Sequence, residues 1–394
     1  MLIVADSKIP YLEGVFEPYA DMRYLDPGEI MPETVRDADA LIVRTRTKCD
    51  AALLEHSRVR ILATATIGTD HIDTDWCNLH GVVWRNAAGC NAASVAQYMT
   101  SALLRVSLRH GLDLRGKTIG IVGCGNVGTK VAAAAAALGM NVLLNDPPRV
   151  RWEKLTGFVD LETIQREADF ITLHVPLWSA EYGPDRTEHL ADEAFFRGLK
   201  RKPFFFNASR GDVVDEPALK EAIRTGLISG TVLDVWHNEP EIDRELLSLV
   251  DFATPHIAGY SADGKANGTA MAVEAVVNES FLWINDYAYH ALQPLRESIQ
   301  QVKADILAKV PAPANPVITL DPASPHPLAD AVFASYDIAD DDAALRAAPE
   351  DFEALRGFYR VRREFPAYTV RPANGAPLPS PLRDALRKLG FRLG

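Results

Sequence analysis

At 394 residues, 47% hydrophobic and 24% charged, the chain has the make-up of a soluble globular protein with more than one core, so two or three domains are expected. A formal charge of −12 argues against a nucleic-acid protein, which carries a basic face, but leaves room for a small anion gripped by a few local arginines. No run approaches the roughly 18 apolar residues of a membrane span, and the opening MLIVADSKIPY lacks the basic and long apolar regions of a secretory leader.

In chain order, the first ninety residues alternate short strands (LIVAD, ALIVRTRTK, VRILATATIGTDHID) with amphipathic segments, the pattern of a small parallel α/β domain. Residues 92–109, AASVAQYMTSALLRVSLR, predict a long helix: apolar positions recur every three to four residues and no Gly or Pro interrupts them. KTIGIVGCGNVGTKVAAAAAALGMNVLLNDPP reads as strand, glycine turn, alanine-rich helix and strand. Further strands DFITLHVPL, PFFFNAS, SGTVLDVW and DFATP extend this second parallel unit to about residue 257. GKANGTAMAVEAVVNESFLWIND predicts a helix, and residues 309–327 are proline-rich and loop-like. The remainder again alternates strand and helix. The expected division is 1–91 with 258–287, then 92–257, then 288–394, with the chain crossing between the first two near residues 91 and 258. Cys49, Cys77, Cys90 and Cys124 show neither CxxC spacing nor a paired framework, so reduced thiols, a cytoplasmic setting and no metal site are expected.

GCGNVG supplies Gly123, Gly125 and Gly128 as GxGxxG, with Asn126 and Val127 between them. A strand precedes it, a helix follows, and Asp146 ends the next strand 18 residues after Gly128. This is the arrangement of a Rossmann-like dinucleotide site. Gly123 permits the tight turn, Gly125 lets the backbone approach a pyrophosphate on the helix N-terminus, and Gly128 with the alanine run allows close helix–strand packing. Asp146 can accept from ribose hydroxyls and would repel a 2′-phosphate, which favours NAD over NADP, although Arg149 stands nearby.

Ligands of open parallel sheets bind beyond the carboxyl ends of the strands. Arg210 follows FFFNAS, Glu239 follows TVLDVW and His256 follows DFATP. Singly, each is an ordinary residue after a strand. Together, in one cofactor-binding unit, they suit alcohol oxidation. His256 takes the proton, Glu239 fixes the imidazole tautomer, and Arg210 grips a carboxylate with two parallel hydrogen bonds.

GCGNVG, NASRGDVVDEPAL, LDVWHNEP and TPHIAGYS resemble the D-isomer specific 2-hydroxyacid dehydrogenases over about residues 35–275. The resemblance implies Arg210, Glu239 and His256 as the catalytic set and a flavodoxin-like substrate (lid) domain beside the NAD domain. It implies NAD contacts from Asp146, Val175, Ala208, Ser209, Arg210, Asp234 and Gly259, with a backbone contact at Val175. It implies substrate contacts from Thr45, Thr66 and Tyr260. TATIGTDHID, AGCNAASVAQY, NDPPR, HIAGYSADGKANGT and the C-terminal SYDIADDDAALR and FEALRGFYRVRREF are similar to the branch that oxidises 4-phospho-D-erythronate on the route to pyridoxal 5′-phosphate. In that branch the C-terminal piece is an α+β dimerisation domain, which implies a homodimer. The substrate implied is a phosphorylated 2-hydroxy acid. Another acid such as 3-phosphoglycerate, or an NAD-sensing scaffold, stand as alternatives. A phosphate needs cations beyond Arg210. If VRTRTK is extended, Arg44, Arg46 and Lys48 share one face, Arg44 being the first choice, with a solvated strand edge as the alternative. His237, where relatives more often carry an acid, reads as tolerated variation. Two domains around one crevice suggest a hinge that closes over the substrate.

Overall fold

The structure is a computed structural model that describes residues 1–280, 286–373, 375 and 377–394. Part of the helix predicted from GKANGTAMAVEAVVNESFLWIND, residues 281–285, lies outside the described residues. The chain divides into two compact units, Met1–Asn91 with Ser261–Pro311, and Ala92–Tyr260 with Ala312–Gly394. It therefore passes between them at 91–92, 260–261 and 311–312.

The first unit is built on a five-stranded parallel sheet: β1 (Leu2–Asp6), β2 (Asp21–Leu25), β3 (Ala40–Val43), β4 (Ile61–Thr64) and β5 (Val83–Asn86), in the order β2-β1-β3-β4-β5. That order is flavodoxin-like. A sheet covered on both faces needs apolar residues on both. Ile3, Ala5, Ile42 and Ile61 join one cluster with Ala266, Val273 and Val276 of the helix Ala262–Ser280, while Val4, Leu41, Val43 and Leu62 join another with Leu53 and Val59. β2 and β5 escape a reading by apolar runs because their residues are mostly half-buried or exposed. The helices Asp286–Glu297 and Ile299–Ala308 also belong to this unit, and Leu292, Leu295 and Ile306 sit in its core. The stretch expected as one domain from 288 onward is thus divided at residue 311.

The second unit carries β6 (Thr118–Val122), β7 (Asn141–Asn145), β8 (Phe170–Leu173), β9 (Phe204–Asn207), β10 (Gly230–Leu233) and β11 (Phe252–Ala253), ordered β11-β10-β9-β8-β6-β7 and all parallel. Beyond β7 a single parallel bridge, Leu144–Phe158, stands where the Rossmann order 3-2-1-4-5-6 has its third strand. The helix Ala92–His110 is buried on most of its circumference, polar Ser94, Gln97, Thr100 and Ser101 included. Three of them meet the C-terminal region: Ser94 Oγ donates to Glu364 Oε1 at 2.9 Å, Gln97 Nε2 donates to the Arg363 carbonyl at 3.0 Å and Ser101 Oγ accepts from Ile338 N at 3.0 Å.

The C-terminal region forms a three-stranded parallel sheet, β12 (Val317–Leu320), β13 (Thr369–Pro372) and β14 (Arg392–Leu393), with helices between its strands. β12 lies inside the stretch read as a proline-rich loop. Val332, Tyr336, Val370 and Leu386 share one core with Met99, Leu103, Ile119 and Phe206, so this region completes the dinucleotide unit's core rather than building its own.

Candidate active site

The glycine turn after β6 is forced by close backbone approach. Gly123 has φ +88°, and a Cβ there would lie 2.6 Å from the His174 carbonyl oxygen and 2.7 Å from Val175 Cγ1. A Cβ on Gly128 would lie 2.0 Å from the Gly123 carbonyl oxygen. Gly125, which caps the helix Asn126–Ala137, would point a Cβ at no protein atom within 4 Å. The helix thus opens on exposed backbone N–H groups with room for a phosphate, and these residues fit a dinucleotide. Asp146 accepts from Cys124 N at 2.8 Å and from Arg149 N at 3.1 Å, which ties the end of β7 to the turn. A carboxylate offers about four acceptor positions, so ribose hydroxyls still find room on it. Arg149 is held by both oxygens of Glu153 at 2.7 Å each, and its Nη1 donates to the Cys124 carbonyl in the turn.

Arg210, Glu239 and His256 all lie in this second unit, each shortly after a strand end. Glu239 Oε2 meets His256 Nδ1 at 2.8 Å, and Glu239 Oε1 accepts from Trp236 N at 3.0 Å. The backbone contact holds the carboxylate in place, and the carboxylate makes Nδ1 the N–H donor, leaving Nε2 as the proton acceptor. His256 itself sits at φ +56°, a left-handed conformation that a non-glycine residue adopts only where its surroundings impose it. Asp234, fully buried after β10, imposes it. Its backbone carbonyl accepts from His256 N at 2.7 Å, and its carboxylate accepts from Ile257 N (2.8 Å), Ala258 N (2.9 Å) and Thr254 Oγ (2.6 Å). Burial raises the Asp234 pKa, and the charge of His256 and these donors act against that rise. Tyr98 adds a further link, its hydroxyl 2.8 Å from Thr254 Oγ.

The turn after β9 is built by Asn207, whose amide donates to the Arg210 carbonyl at 2.8 Å and whose oxygen accepts from Ser209 N and Oγ at 3.0 and 2.7 Å. Arg210 Nη1 donates to the Ser209 carbonyl at 2.8 Å. Gly211 is required where this turn meets the next, since a Cβ would lie 1.9 Å from the Trp236 carbonyl oxygen. Ala208 and Gly259 flank Arg210 and His256 on these two turns. His237 pairs with Asp212 across the same junction, which raises its pKa, and its N–H donates to Glu216 at 2.8 Å. It therefore has a partner in the fold.

Of the substrate candidates, the first unit holds all but Tyr260. Arg44, Thr45 and Thr66 follow β3 and β4, neighbouring strands, so they share one edge of that sheet. Thr66 Oγ lies 2.8 Å from Thr64 Oγ, and Arg44 Nε bonds Asp6 Oδ2 at 3.2 Å. The extended VRTRTK is not formed. β3 ends at Val43, Thr45 and Arg46 lie in a turn, and Thr47 N reaches back to the Arg44 carbonyl at 3.4 Å. The two-residue period that would put Arg44, Arg46 and Lys48 on one face does not apply there, and Lys48 instead pairs with Asp50 at 2.9 Å.

Sequence reasoning missed Asn207, Thr254 and His174. His174 follows β8 with Nε2 3.0 Å from Thr172 Oγ, its Nδ1 is buried with no hydrogen-bond partner among the described residues, and burial lowers its pKa to about 3. Asn207 stood inside the quoted NASRGD, but its role needs the register of the turn. Tyr260, four residues after His256, packs edge-on against Tyr359 of the C-terminal region with ring centroids 6.0 Å apart, and its hydroxyl receives Arg356 Nη2 at 3.4 Å. Among the described residues no cluster suits a metal ion, and no helix is long and apolar enough to cross a membrane.

Residues 89–258 match the family profile described as D-isomer specific 2-hydroxyacid dehydrogenase, NAD binding domain, and residues 310–390 match a domain of unknown function, DUF3410. The chain is 46% identical to the erythronate-4-phosphate dehydrogenase of Bacteroides fragilis over 94% of this chain and 99% of that one. It is 40% identical to the enzyme of the same name from Klebsiella pneumoniae over 99% and 98%. Among solved structures it resembles the NAD-bound 3-phosphoglycerate dehydrogenase of Entamoeba histolytica, with a TM-score of 0.60, 26% identity, and coverage of 72% of this chain and 95% of that one.

Proposed function

The chain belongs to the D-isomer specific 2-hydroxyacid dehydrogenases, and from that premise we propose that it oxidises the 2-hydroxyl of 4-phospho-D-erythronate to the 2-oxo acid, a step towards pyridoxal 5′-phosphate. NAD, when bound on the Gly123–Gly128 turn, supplies the hydride acceptor. His256 takes the hydroxyl proton through Nε2, and Glu239 holds the ring and stabilises the imidazolium that results. Arg210 binds the substrate carboxylate and orients C2, while Thr45, Thr66, Tyr260 and Arg44 hold the rest of the substrate. Asp146 serves the adenosine ribose, and Val175, Ala208, Ser209, Asp234 and Gly259 serve the remainder of the cofactor.

What carries the reading is the 2.8 Å contact between His256 and Glu239 in the unit that also bears the glycine turn. We assign the first unit the role of a lid, the C-terminal region that of a homodimer contact, and the protein a cytoplasmic place. A scattering profile that stays the same on adding NAD and substrate would remove the lid, and a 43.2 kDa species alone in sedimentation would remove the dimer.

The test of the activity is NADH formation with 4-phospho-D-erythronate, 3-phosphoglycerate and D-lactate in parallel, with a 2-oxo acid present as a recycling acceptor. Selective turnover of the first is expected. Selective turnover of 3-phosphoglycerate would keep the chemistry and discard the substrate. Cofactor binding without turnover of any would point to a sensing scaffold.

A further inference from the structure

The helix Ala92–His110 buries Ser94, Gln97, Tyr98 and Ser101, whose three- and four-residue spacing puts them on one face. Against that face lies the segment Arg362–Glu364 of the C-terminal region. Glu364 accepts from Ser94 Oγ, the Arg363 carbonyl accepts from Gln97, and Arg362 Nη2 donates to the Ser94 carbonyl at 3.4 Å. Tyr98, on the same face, meets Thr254, which donates to Asp234. The helix therefore joins the C-terminal segment to the turn that carries His256.

Arg362 is 3% exposed, a cation in the interior of this unit. A buried charge persists only where strong partners meet it. Its guanidinium carbon stands 4.4 Å from the Tyr336 ring centre, and its shortest hydrogen bond runs from Nη2 to the Ala258 carbonyl at 2.5 Å. Nε and Nη1 meet no hydrogen-bond partner among the described residues, so its donors are spent on main-chain carbonyls. Ala258 is two residues after His256. Asp234 accepts the N–H groups of His256, Ile257 and Ala258, and Arg362 holds the carbonyl that follows them. An anion and a cation thus clamp the one turn on which His256 stands at φ +56° and reaches Glu239 at 2.8 Å. Hydrogen bonds from a charged donor are roughly twice as strong as neutral ones, so the guanidinium is a firm second anchor. It comes from the region matched by the DUF3410 profile, outside the residues matched by the NAD-binding profile.

We propose that Arg362 is a positioning residue for the reaction: by holding the Ala258 carbonyl it keeps His256 in line with Glu239, which makes the C-terminal region a working part of the active site. The inference rests on the proposed function, and two readouts keep the failures apart. The first is kcat and KM with 4-phospho-D-erythronate in wild type, Arg362→Met and Arg362→Lys, with NADH titration as the check on folding. Methionine keeps an apolar stem and removes the charge, whereas lysine keeps the charge on a single, differently placed nitrogen. In Arg362→Met the expected result is a kcat loss of about ten- to a hundredfold per NADH-binding site with KM within about threefold, the scale on which a displaced reacting group costs rate. Arg362→Lys is expected to lie between it and wild type. The second readout is the nitrogen-15 shift of the two His256 ring nitrogens in the free protein at alkaline pH, assigned by their loss in His256→Gln. Wild type is expected to carry the proton on Nδ1, and both variants to move toward an average of the two tautomers, Arg362→Met further.

A residue that only stabilises the fold lowers the unfolding midpoint and leaves kcat and the ring shifts at their wild-type values. That result, or a loss carried by KM alone, would overturn the proposal. If Arg362→Met does not bind NADH, Arg362→Lys decides: wild-type kcat and shifts in it would overturn the proposal, and intermediate values support it. If wild type turns over no hydroxy acid, the proposed activity fails, and the ring shifts of the variants still decide whether Arg362 holds His256.

Discussion

Replacing Glu239 with Gln changes one oxygen to an amide nitrogen and little else in shape, so its effect isolates proton placement. The carboxylate now accepts two N–H groups, Trp236 N at 3.0 Å and His256 Nδ1 at 2.8 Å. A glutamine has one acceptor oxygen and must face one of these donors with its NH2. If the oxygen stays on the Trp236 backbone N–H, which cannot move its proton, the NH2 faces His256 Nδ1. The neutral imidazole then places its proton on Nε2, the atom proposed to accept from the substrate, so the proposed proton transfer is blocked in that tautomer. The imidazolium also loses its carboxylate. Inverting the tautomer of a catalytic histidine costs on the order of 10⁴ in turnover in the serine-protease case. A loss of about 10²–10⁴ in kcat is expected here, with NADH affinity unchanged because the glycine turn is untouched. The charge-assisted hydrogen bond contributes about 1.5–3 kcal/mol, so a modest fall in stability accompanies it. The assay is NADH formation across a pH series beside NADH titration. A kcat within about threefold of wild type, with a superimposable pH profile, would refute the reasoning.

Asp234→Ala leaves two buried backbone N–H groups and the Thr254 hydroxyl without their acceptor. At about 1–3 kcal/mol for each unsatisfied group it is expected to lower unfolding free energy by several kcal/mol in urea titrations, and kcat with it, because the left-handed turn at His256 loses its support. Gly128→Ala places a carbon 2.0 Å from the Gly123 carbonyl oxygen, so loss of NAD binding, read by titration, is expected. His174 is neutral in the fold down to about pH 3, whereas the unfolded chain protonates it below its ordinary 6.5. Its folded pKa is depressed, so its contribution is fully present above pH 6.5 and is lost as pH falls towards 3. The loss reaches about 1.4 kcal/mol per pH unit. His174→Asn is therefore expected to flatten the acid limb of a stability-versus-pH curve, and an unchanged limb would contradict the burial argument.

Much of the dinucleotide site was legible because its constraints are local. GCGNVG lies between a strand and a helix, and every clash that demands its glycines is with the turn itself or with β6 and the segment after β8. The continuous apolar runs ALIV and FFFN announce strands buried on both faces. β2, with its half-exposed residues, gives no such run and was not legible.

The sequence by itself determined the residue types and the strand-end positions of Arg210, Glu239 and His256, because a parallel sheet brings the segments after its strands to one edge. Only the tertiary structure decided that Glu239 reaches His256 Nδ1, that Asp234 props the turn carrying that histidine, and that VRTRTK bends. It also decided that Arg356, 96 residues beyond Tyr260 in the chain, donates to its hydroxyl. These depend on turn geometry and on side chains meeting across long separations in sequence, for which no local periodicity leaves a trace.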